Sequence, residues 1–115
     1  MTSPAFLDPT LHQPVRTQLV AFLAARGSAG FSELKRVLGI TDGNLGAHLH
    51  KMIEAGYVSA DASSGAGRAQ TRYALTPLGR QSLQAYVQAL QAILDQTSSA
   101  VDPAAQTTPG VRPTR

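Results

Sequence analysis

The sequence contains no cysteine and no tryptophan, and only 5% of its 115 residues are aromatic. The absence of cysteine excludes disulfides, thiolate metal ligands and cysteine nucleophiles. Charged residues are also scarce at 15%, and 10 Lys+Arg against 7 Asp+Glu give a net charge of +3. No basic-then-apolar leader is present, and no apolar run approaches the roughly 18 residues that span a bilayer. We therefore expect a cytoplasmic protein with no membrane partner, whose mild basicity permits a polyanionic partner without requiring one.

Catalytic and metal-binding patterns are absent as well. No serine or threonine lies in an activating context, no phosphate-binding loop occurs, and no carboxylate pair lies in an apolar setting. His48 and His50 are two residues apart on a predicted helix, so they point about 200° apart and cannot share a metal ion. His12 is distant from both in sequence. The sequence therefore predicts no enzyme, no metal site and no cofactor.

The most informative segment runs from position 39 to position 58. Gly39 is predicted to end one helix in a left-handed conformation, and Thr41 to cap the next helix, with Asp42 in its first turn. Gly56 is predicted to end that helix. Its apolar positions follow helical spacing, at Leu45, Leu49, Met52 and Ile53. Two helices joined by so short a turn predict a helix-turn-helix.

The far side of the second of these helices is small and polar at its N-terminal end. Its members are Gly43, Asn44, Ala47, His50 and Lys51. A face of this kind lets a helix enter the major groove of DNA and reach base edges with its first turns. We therefore expect a recognition helix over residues 41–55.

Two helices are predicted before the recognition helix. Asp8-Pro9 and Pro14 both offer starts for the first, which Gly27 would end. Its predicted apolar positions are Val15, Leu19, Phe22 and Leu23. Phe31 is predicted as a very short strand, and Ser32 as the cap of the second helix. The predicted buried side of the second helix consists of Leu34, Val37 and Leu38.

A β-hairpin and a long helix are predicted after the recognition helix. Residues 57–60 and 71–75 read as two strands around a loop over residues 61–70 that is rich in serine, alanine and glycine. A hairpin directly after a helix-turn-helix is a wing. Thr76-Pro77 then caps a last helix with apolar positions at Leu83, Tyr86, Val87, Leu90, Ile93 and Leu94.

This apolar stripe is long relative to the core that it could cover. Spacing of three and four residues suits a partner helix, which favours dimerisation, although the helix could instead fold back over its own domain. Serine, threonine, proline, alanine and glutamine dominate after position 97, and no periodicity survives there. We expect a flexible segment 1–7, a domain over 8–97 and a disordered tail over 98–115.

The order of these elements resembles a winged helix-turn-helix transcriptional regulator, closest to the short MarR/ArsR-like proteins. The resemblance covers roughly positions 7 to 94 and rests on five stretches: Leu7-Asp8-Pro9 with His12, Pro14 and Arg16; Phe31 with Leu34; Gly39 through Leu49; Ala55 through Val58; and Thr71 through Arg80. It implies a mainly α fold with a small β-hairpin wing and a long C-terminal dimerisation helix. It also implies that two chains pair through their first and last helices and bind successive major grooves of double-stranded DNA.

The expected site residues follow from this reading. Contacts to DNA are predicted for Thr41, Asp42, Gly43, Asn44, Ala47, His48, His50, Lys51, Arg68, Gln70 and Arg72. The expected dimer interface consists of Leu11, Val15, Leu19, Leu83, Tyr86, Val87, Leu90, Ile93 and Leu94. Lys51 and Arg68 are expected to contact phosphates. Asn44 could bond a base edge, its amide group with those of Asp42 and Gly43 could meet a phosphate, or its side chain could bond only its own helix backbone.

Two departures from the resemblance leave other functions open. Gly46 stands where such proteins usually have serine or threonine, and the wing has no cation between Asp61 and Arg68. The mild charge and bare wing would also suit a winged helix that binds proteins rather than specific DNA. A third possibility is a regulator with a small-molecule effector, in a pocket lined by Leu19, Phe22, Tyr86 and Leu90, although the same residues would serve as packing.

Overall fold

The computed structural model describes residues 6–65 and 68–100, and the side chains of residues 6–62 and 70–97. The elements in chain order are α1 (Pro14–Arg26), β1 (Ala29–Gly30), α2 (Phe31–Leu38), α3 (Asp42–Glu54), β2 (Val58–Gly65), β3 (Arg68–Leu75) and α4 (Pro77–Ala100). The three strands form one antiparallel sheet in the order β1-β3-β2. This arrangement confirms the predicted winged helix-turn-helix with a long last helix.

The termini of the described chain extend the predicted domain. Leu7 packs against the core, although it was expected within a flexible segment, and α4 continues to Ala100, past the predicted boundary at 97. The remainder of the two predicted terminal segments, residues 1–5 and 101–115, lies outside the described residues.

Helix α1 begins at Pro14, the second of its two predicted starts. The side chain of Gln13 caps it and accepts a hydrogen bond from the Arg16 amide at 2.8 Å. Asp8 closes a separate turn instead, where its Oδ1 accepts from the Thr10 amide at 2.9 Å. An aspartate followed by proline is compatible with either a turn or a helix start, so the sequence left both starts open.

The start of α2 differs from the prediction. Phe31 is its first helical residue rather than a strand, and Gly30 occupies the cap position in place of Ser32. The short strand lies at Ala29–Gly30, where the Cα partners on β3 are Tyr73 and Arg72. The pairing of β1 with β3 therefore ends at Gly30, and α2 begins at the next residue. The prediction that Val37 is buried is also wrong, since its side chain is 47% exposed.

Helix α3 begins and ends as predicted. The Thr41 hydroxyl accepts a hydrogen bond from the Asn44 amide at 3.2 Å, and Gly39 ends α2 with φ 66° and ψ 38°. Gly56 has φ 83° directly after the helix. The buried side consists of Leu45, Leu49 and Met52. Ile53 was predicted to be buried with them but is 40% exposed. The rest of the domain covers a narrower strip of the helix surface than the helical spacing predicted.

The wing strands are longer than predicted. Pairing runs from Val58 opposite Leu75 to Gly65 opposite Arg68, so most of the predicted 61–70 loop is strand. Residues 66–67 lie outside the described residues. Antiparallel pairing adds two backbone hydrogen bonds at every second residue pair, which offsets the low strand propensity of serine, alanine and glycine.

Three residues of the predicted dimer interface lie in the core of a single chain. Leu11 and Leu19 are fully buried within one chain, and Tyr86 on α4 is nearly so. They pack in a cluster with Leu23, Leu45 and other apolar side chains of the helices and the sheet. These side chains cannot reach a second copy without opening the core, so the prediction that they form an interface is wrong. The apolar positions of α4 pack against their own domain at Leu83, Tyr86 and Leu90, whereas Val87 and Leu94 are more than half exposed.

Candidate nucleic-acid interface

The outer face of α3 is accessible along its length. The exposed members of the predicted set are Thr41, Asp42, Gly43, Asn44, Ala47, His50 and Lys51. The packing of the opposite side against the core fixes the orientation of this face. We refer to these exposed positions as the α3 face.

Charges on and beside the α3 face are largely paired. Lys35 Nζ at the end of α2 lies 2.8 Å from Asp42 Oδ1, so the ion pair spans the turn of the helix-turn-helix. His50 Nε2 lies 3.9 Å from Glu54 Oε2. In the described part of the chain, Lys51 has no ion pair. Its exposed ammonium group is therefore available to a phosphate.

His48 does not belong to the exposed set. It is half-buried, and its Nδ1 lies 3.2 Å from Nη1 of Arg16 on α1. Burial, followed by the positive charge of Arg16, lowers the pKa of His48 below its ordinary value of 6.5. Arg16 also donates from Nε to the carbonyl of Thr10 at 2.6 Å. No sequence signal pairs two residues 32 positions apart, so a role for Arg16 at this site could not be predicted.

The wing brings one predicted cation to an accessible place. Arg72 is exposed on β3 while the next residue, Tyr73, packs against the core, as the predicted alternation requires. The Arg72 Nη2 donates to Ser28 Oγ at 2.9 Å, which holds the guanidinium over β1. Gln70 is exposed on the same strand. The side chain of Arg68, the other predicted wing cation, lies outside the described residues.

A groove of about 480 Å³ separates α2 from β3 and was not expected. Arg36 on α2 and Arg72 on β3 both line it, together with the hydroxyl-bearing Ser32 and Thr71. Glu33 also lines the groove, but its carboxylate is paired with Arg26 at 2.9 Å. The groove therefore offers guanidinium and hydroxyl donors to one ligand. Arg36 was missed because its helical position alone does not distinguish it from an ordinary solvated arginine.

A second cavity, of about 370 Å³, lies between α1 and α4. Its lining consists of His12, Gln13, Pro14, Thr17, Gln18 and Tyr86, and His12 Nδ1 lies 2.9 Å from Tyr86 Oη. Of the residues predicted to line an effector pocket, only Tyr86 does so here. Leu19 is fully buried in the core and Phe22 packs against it, which is the packing role that the sequence left open for these residues.

Helix α4 carries an exposed apolar stripe beyond its buried Tyr86. Val87 is 53% exposed and Leu94 is 56% exposed, and Leu83, Leu90 and Ile93 beside them are half-buried. Single exposed leucines are ordinary on a protein surface, whereas these apolar side chains recur at helical spacing. We refer to these five residues as the α4 stripe.

The described residues contain no cluster of three or more histidine, aspartate or glutamate side chains arranged to hold a metal ion. Across the same ranges, none of the helices has the length and hydropathy needed to cross a membrane.

Known proteins share this arrangement. The family model for a winged helix DNA-binding domain matches residues 15–94. An uncharacterised protein from Methanocaldococcus jannaschii is 37% identical over 73 residues, which cover 64% of this chain and 79% of that protein. A transcriptional regulator homologue from Pyrococcus horikoshii OT3 superposes with a TM-score of 0.72 at 31% identity, covering 76% of this chain and 87% of its own.

A transcriptional regulator of the MarR family from Enterococcus faecalis V583 gives a TM-score of 0.64 at 25% identity. The match covers 85% of this chain and 84% of that one. This family and fold are those of transcriptional regulators rather than enzymes. The chain belongs to the winged helix DNA-binding domain family, and its fold is that of MarR-family transcriptional regulators.

Proposed function

We propose that the protein is a homodimeric, sequence-specific transcriptional regulator whose α3 enters the major groove of double-stranded DNA. The exposed α3 face, opposite a fully packed inner side, is the observation that carries this proposal. A DNA-binding role requires the compartment that holds the DNA, so we expect the protein in the cytoplasm.

Residues in the first two turns of α3 have the chemistry for reading bases. Asn44 can donate to and accept from the edge of adenine, and the methyl group of Ala47 can contact the methyl group of thymine. Gly43 adds no side chain that would hold the helix away from the base edges. An added Cβ at this position would meet nothing within 4 Å in the free protein. Backbone amides of this turn, beside Thr41, suit a phosphate.

Cations around the α3 face have the chemistry for holding the DNA backbone. Lys51 follows the first two turns of α3 and is unpaired among the described residues. Arg36 and Arg72 line the groove between α2 and β3, whose hydroxyls add donors for phosphate oxygens. Contacts of this kind set orientation and affinity without reading sequence.

The α4 stripe suits a second copy of the chain. Pairing two stripes would bury Val87 and Leu94, which are more than half exposed in a single chain. The two α3 helices of such a dimer would lie about 34–36 Å apart, one turn of DNA, over a pseudo-palindromic site. Val15 on α1 is half-buried and can still contribute at the edge of this interface.

Selection of bound DNA from a random pool tests this function directly. The enriched sequence and a scrambled version are then titrated by fluorescence anisotropy at several salt concentrations. We expect a pseudo-palindrome, bound about 1,000-fold or more tightly than the scrambled DNA. Failure to enrich any sequence, with no salt-dependent binding, would overturn the proposal and favour a protein-binding module.

The cavity between α1 and α4 supports a ligand-responsive version of this function. His12, Gln13 and Tyr86 place hydrogen-bonding groups around a space large enough for a small aromatic acid. Benzoate should then raise the melting temperature progressively as its concentration increases, because a ligand that binds only the folded state stabilises it. Thr17→Leu narrows the cavity with a larger apolar side chain and should reduce the shift. An unchanged melting temperature across a panel of small aromatic acids would argue against an effector of this class.

A further inference from the structure

Arg16 and His48 form the polar contact that joins α1 to α3. Arg16 Nη1 lies 3.2 Å from His48 Nδ1. The same guanidinium is held in place by its Nε, which donates to the Thr10 carbonyl at 2.6 Å. The arginine is therefore fixed at two points, one in the turn before α1 and one on the recognition helix.

This contact determines which imidazole nitrogen carries the proton. A guanidinium has N–H donors and no acceptor, so His48 Nδ1 must accept the hydrogen bond. A nitrogen that accepts carries no proton, and a neutral ring with a bare Nδ1 is protonated at Nε2. In a doubly protonated ring, the Nδ1–H group would point at the positively charged guanidinium, which is unfavourable. The lowered pKa of His48 agrees with this. Arg16 thus selects a neutral ring with an Nε2–H donor.

The Nε2–H group has no hydrogen-bond partner among the described residues. His48 lies four residues after Asn44 and three before Lys51, and side chains at these spacings are neighbours on a helix surface. Both neighbours are exposed, whereas Leu45 and Met52 on the other side are buried. The ring therefore lies at the margin between the core and the α3 face, where DNA backbone rather than a base edge would meet it.

We propose that Arg16 is a positioning residue for DNA binding, which holds His48 so that its Nε2–H group donates to a phosphate oxygen beside the recognition helix. This inference rests on the proposed function and adds a backbone contact to it. Of the charged groups near the ring, Arg16 from α1 disfavours a second proton on it, and Lys51 lies three residues away on the same helix.

The tautomer is tested first in the wild-type protein without DNA. A long-range ¹H–¹⁵N spectrum at pH 8, assigned with His48→Gln, should give an unprotonated Nδ1 and a protonated Nε2. In Arg16→Met, the midpoint of the His48 titration should rise, because a positive charge beside the ring is lost. A protonated Nδ1 in the wild-type protein would overturn the proposal, whether or not the variant folds.

Binding to the selected DNA is then measured in a double-mutant cycle. His48→Ala and Arg16→Met should each weaken binding about 10-fold per half-site, and about 100-fold for a dimer, as expected when each chain loses one hydrogen bond to a charged acceptor. The double variant should be no worse than His48→Ala, since Arg16 acts through the ring. His48→Gln should retain most of the affinity because its amide can donate from a similar position, and His48→Asn should not. Arg80→Met, which removes the same charge from an exposed position on α4 that has no ion pair among the described residues, is the matched control.

The outcomes separate the two proposals. Wild-type protein that binds no DNA while its ring keeps the Nε2–H form would overturn the proposed function, and this inference with it. Specific binding by the wild type that is unchanged in His48→Ala would overturn this inference alone. Independent, additive losses in the cycle would do the same, because Arg16 would then not act through His48. If Arg16→Met does not fold, the comparison of His48→Ala with His48→Gln decides.

Discussion

A Cβ added to Gly79 would lie 2.1 Å from the carbonyl oxygen of Tyr57. The first turn of α4 therefore packs directly on the backbone that leads from α3 into the wing, with no room for any side chain. Because the clash is with backbone, Gly79→Ala should lower the free energy of unfolding by about 2 kcal/mol or more. Gly46→Ala is the matched control, since nothing lies within 4 Å of its added Cβ. In chemical denaturation, that control should be neutral or about 0.5–1 kcal/mol more stable; equal behaviour of the two variants would contradict the packing.

The Thr41 hydroxyl caps the recognition helix through the Asn44 amide. Thr41→Ala should therefore cost about 1 kcal/mol of stability in urea denaturation, whereas Thr41→Ser, which keeps the acceptor, should cost much less. DNA binding by the alanine variant should weaken as well, because the first turn that meets the DNA is the one that frays. Equal stability of the two variants would mean that the cap contributes nothing.

Stability should depend on pH through His48. Its pKa is lowered in the folded state, so below 6.5 the unfolded chain takes up a proton that the folded chain resists. The contribution is complete above about pH 6.5 and is lost as the pH falls through the folded-state pKa. Melting temperatures between pH 8 and pH 5 should therefore fall more steeply for the wild type than for His48→Gln. His50→Gln, at an exposed position two residues away, should keep the wild-type dependence of melting temperature on pH. If His50→Gln rather than His48→Gln reduces that dependence, the assignment to His48 is wrong.

The α4 stripe should set the oligomeric state. Light scattering should give twice the 12.1 kDa mass of the chain for the wild type. Leu94→Asp should give the mass of one chain, because a buried carboxylate without a partner is costly at an apolar interface. It should also weaken DNA binding, since two half-sites would no longer be held together. Gln88→Asp adds the same charge to an exposed polar position of the same helix and should remain dimeric. A dimeric Leu94→Asp would place the interface elsewhere.

Salt dependence should count the phosphate contacts. Loss of Lys51 from both chains of a dimer removes about two contacts, so Lys51→Ala should reduce the slope of log affinity against log salt by about two. Lys51→Arg keeps the charge and should keep the slope. Lys51→Ala should weaken binding to cognate and scrambled DNA alike, whereas Asn44→Leu should weaken binding to cognate DNA selectively. An unchanged slope for both Lys51→Ala and Arg72→Ala would contradict the proposed docking.

Local chemistry was sufficient to predict the ends of the recognition helix from the sequence. Thr41 as a cap, and the glycines at 39 and 56 as terminators, depend on interactions within a few residues, and the structure contains all three. The hairpin and the start of the last helix at Pro77 were predictable for the same reason. The order of these elements was enough to identify the fold class.

Features that depend on distant residues could not be predicted. Helical spacing gives the direction of the buried side of α3 but not its width, so Ile53 was misplaced at the edge of the stripe. Leu11 precedes α1, where no periodicity indicates whether it faces the core or a partner. The pairing of Arg16 with His48 and the groove shared by Arg36 and Arg72 arise only from how the elements pack.

Thr76 fastens the beginning of α4 to the end of α3. Its hydroxyl donates to the Gly56 carbonyl at 2.6 Å and accepts from the Gly79 amide at 2.9 Å, while its own amide donates to Tyr57 at 3.0 Å. Because these hydrogen bonds hold the first turn of α4 against the end of α3, the two helices should move together as one rigid unit. In a dimer held together by its two α4 helices, a small change in the angle at which they cross would therefore change the distance between the two recognition helices. Sensitivity to such a change would be greatest for operators with one fixed half-site spacing.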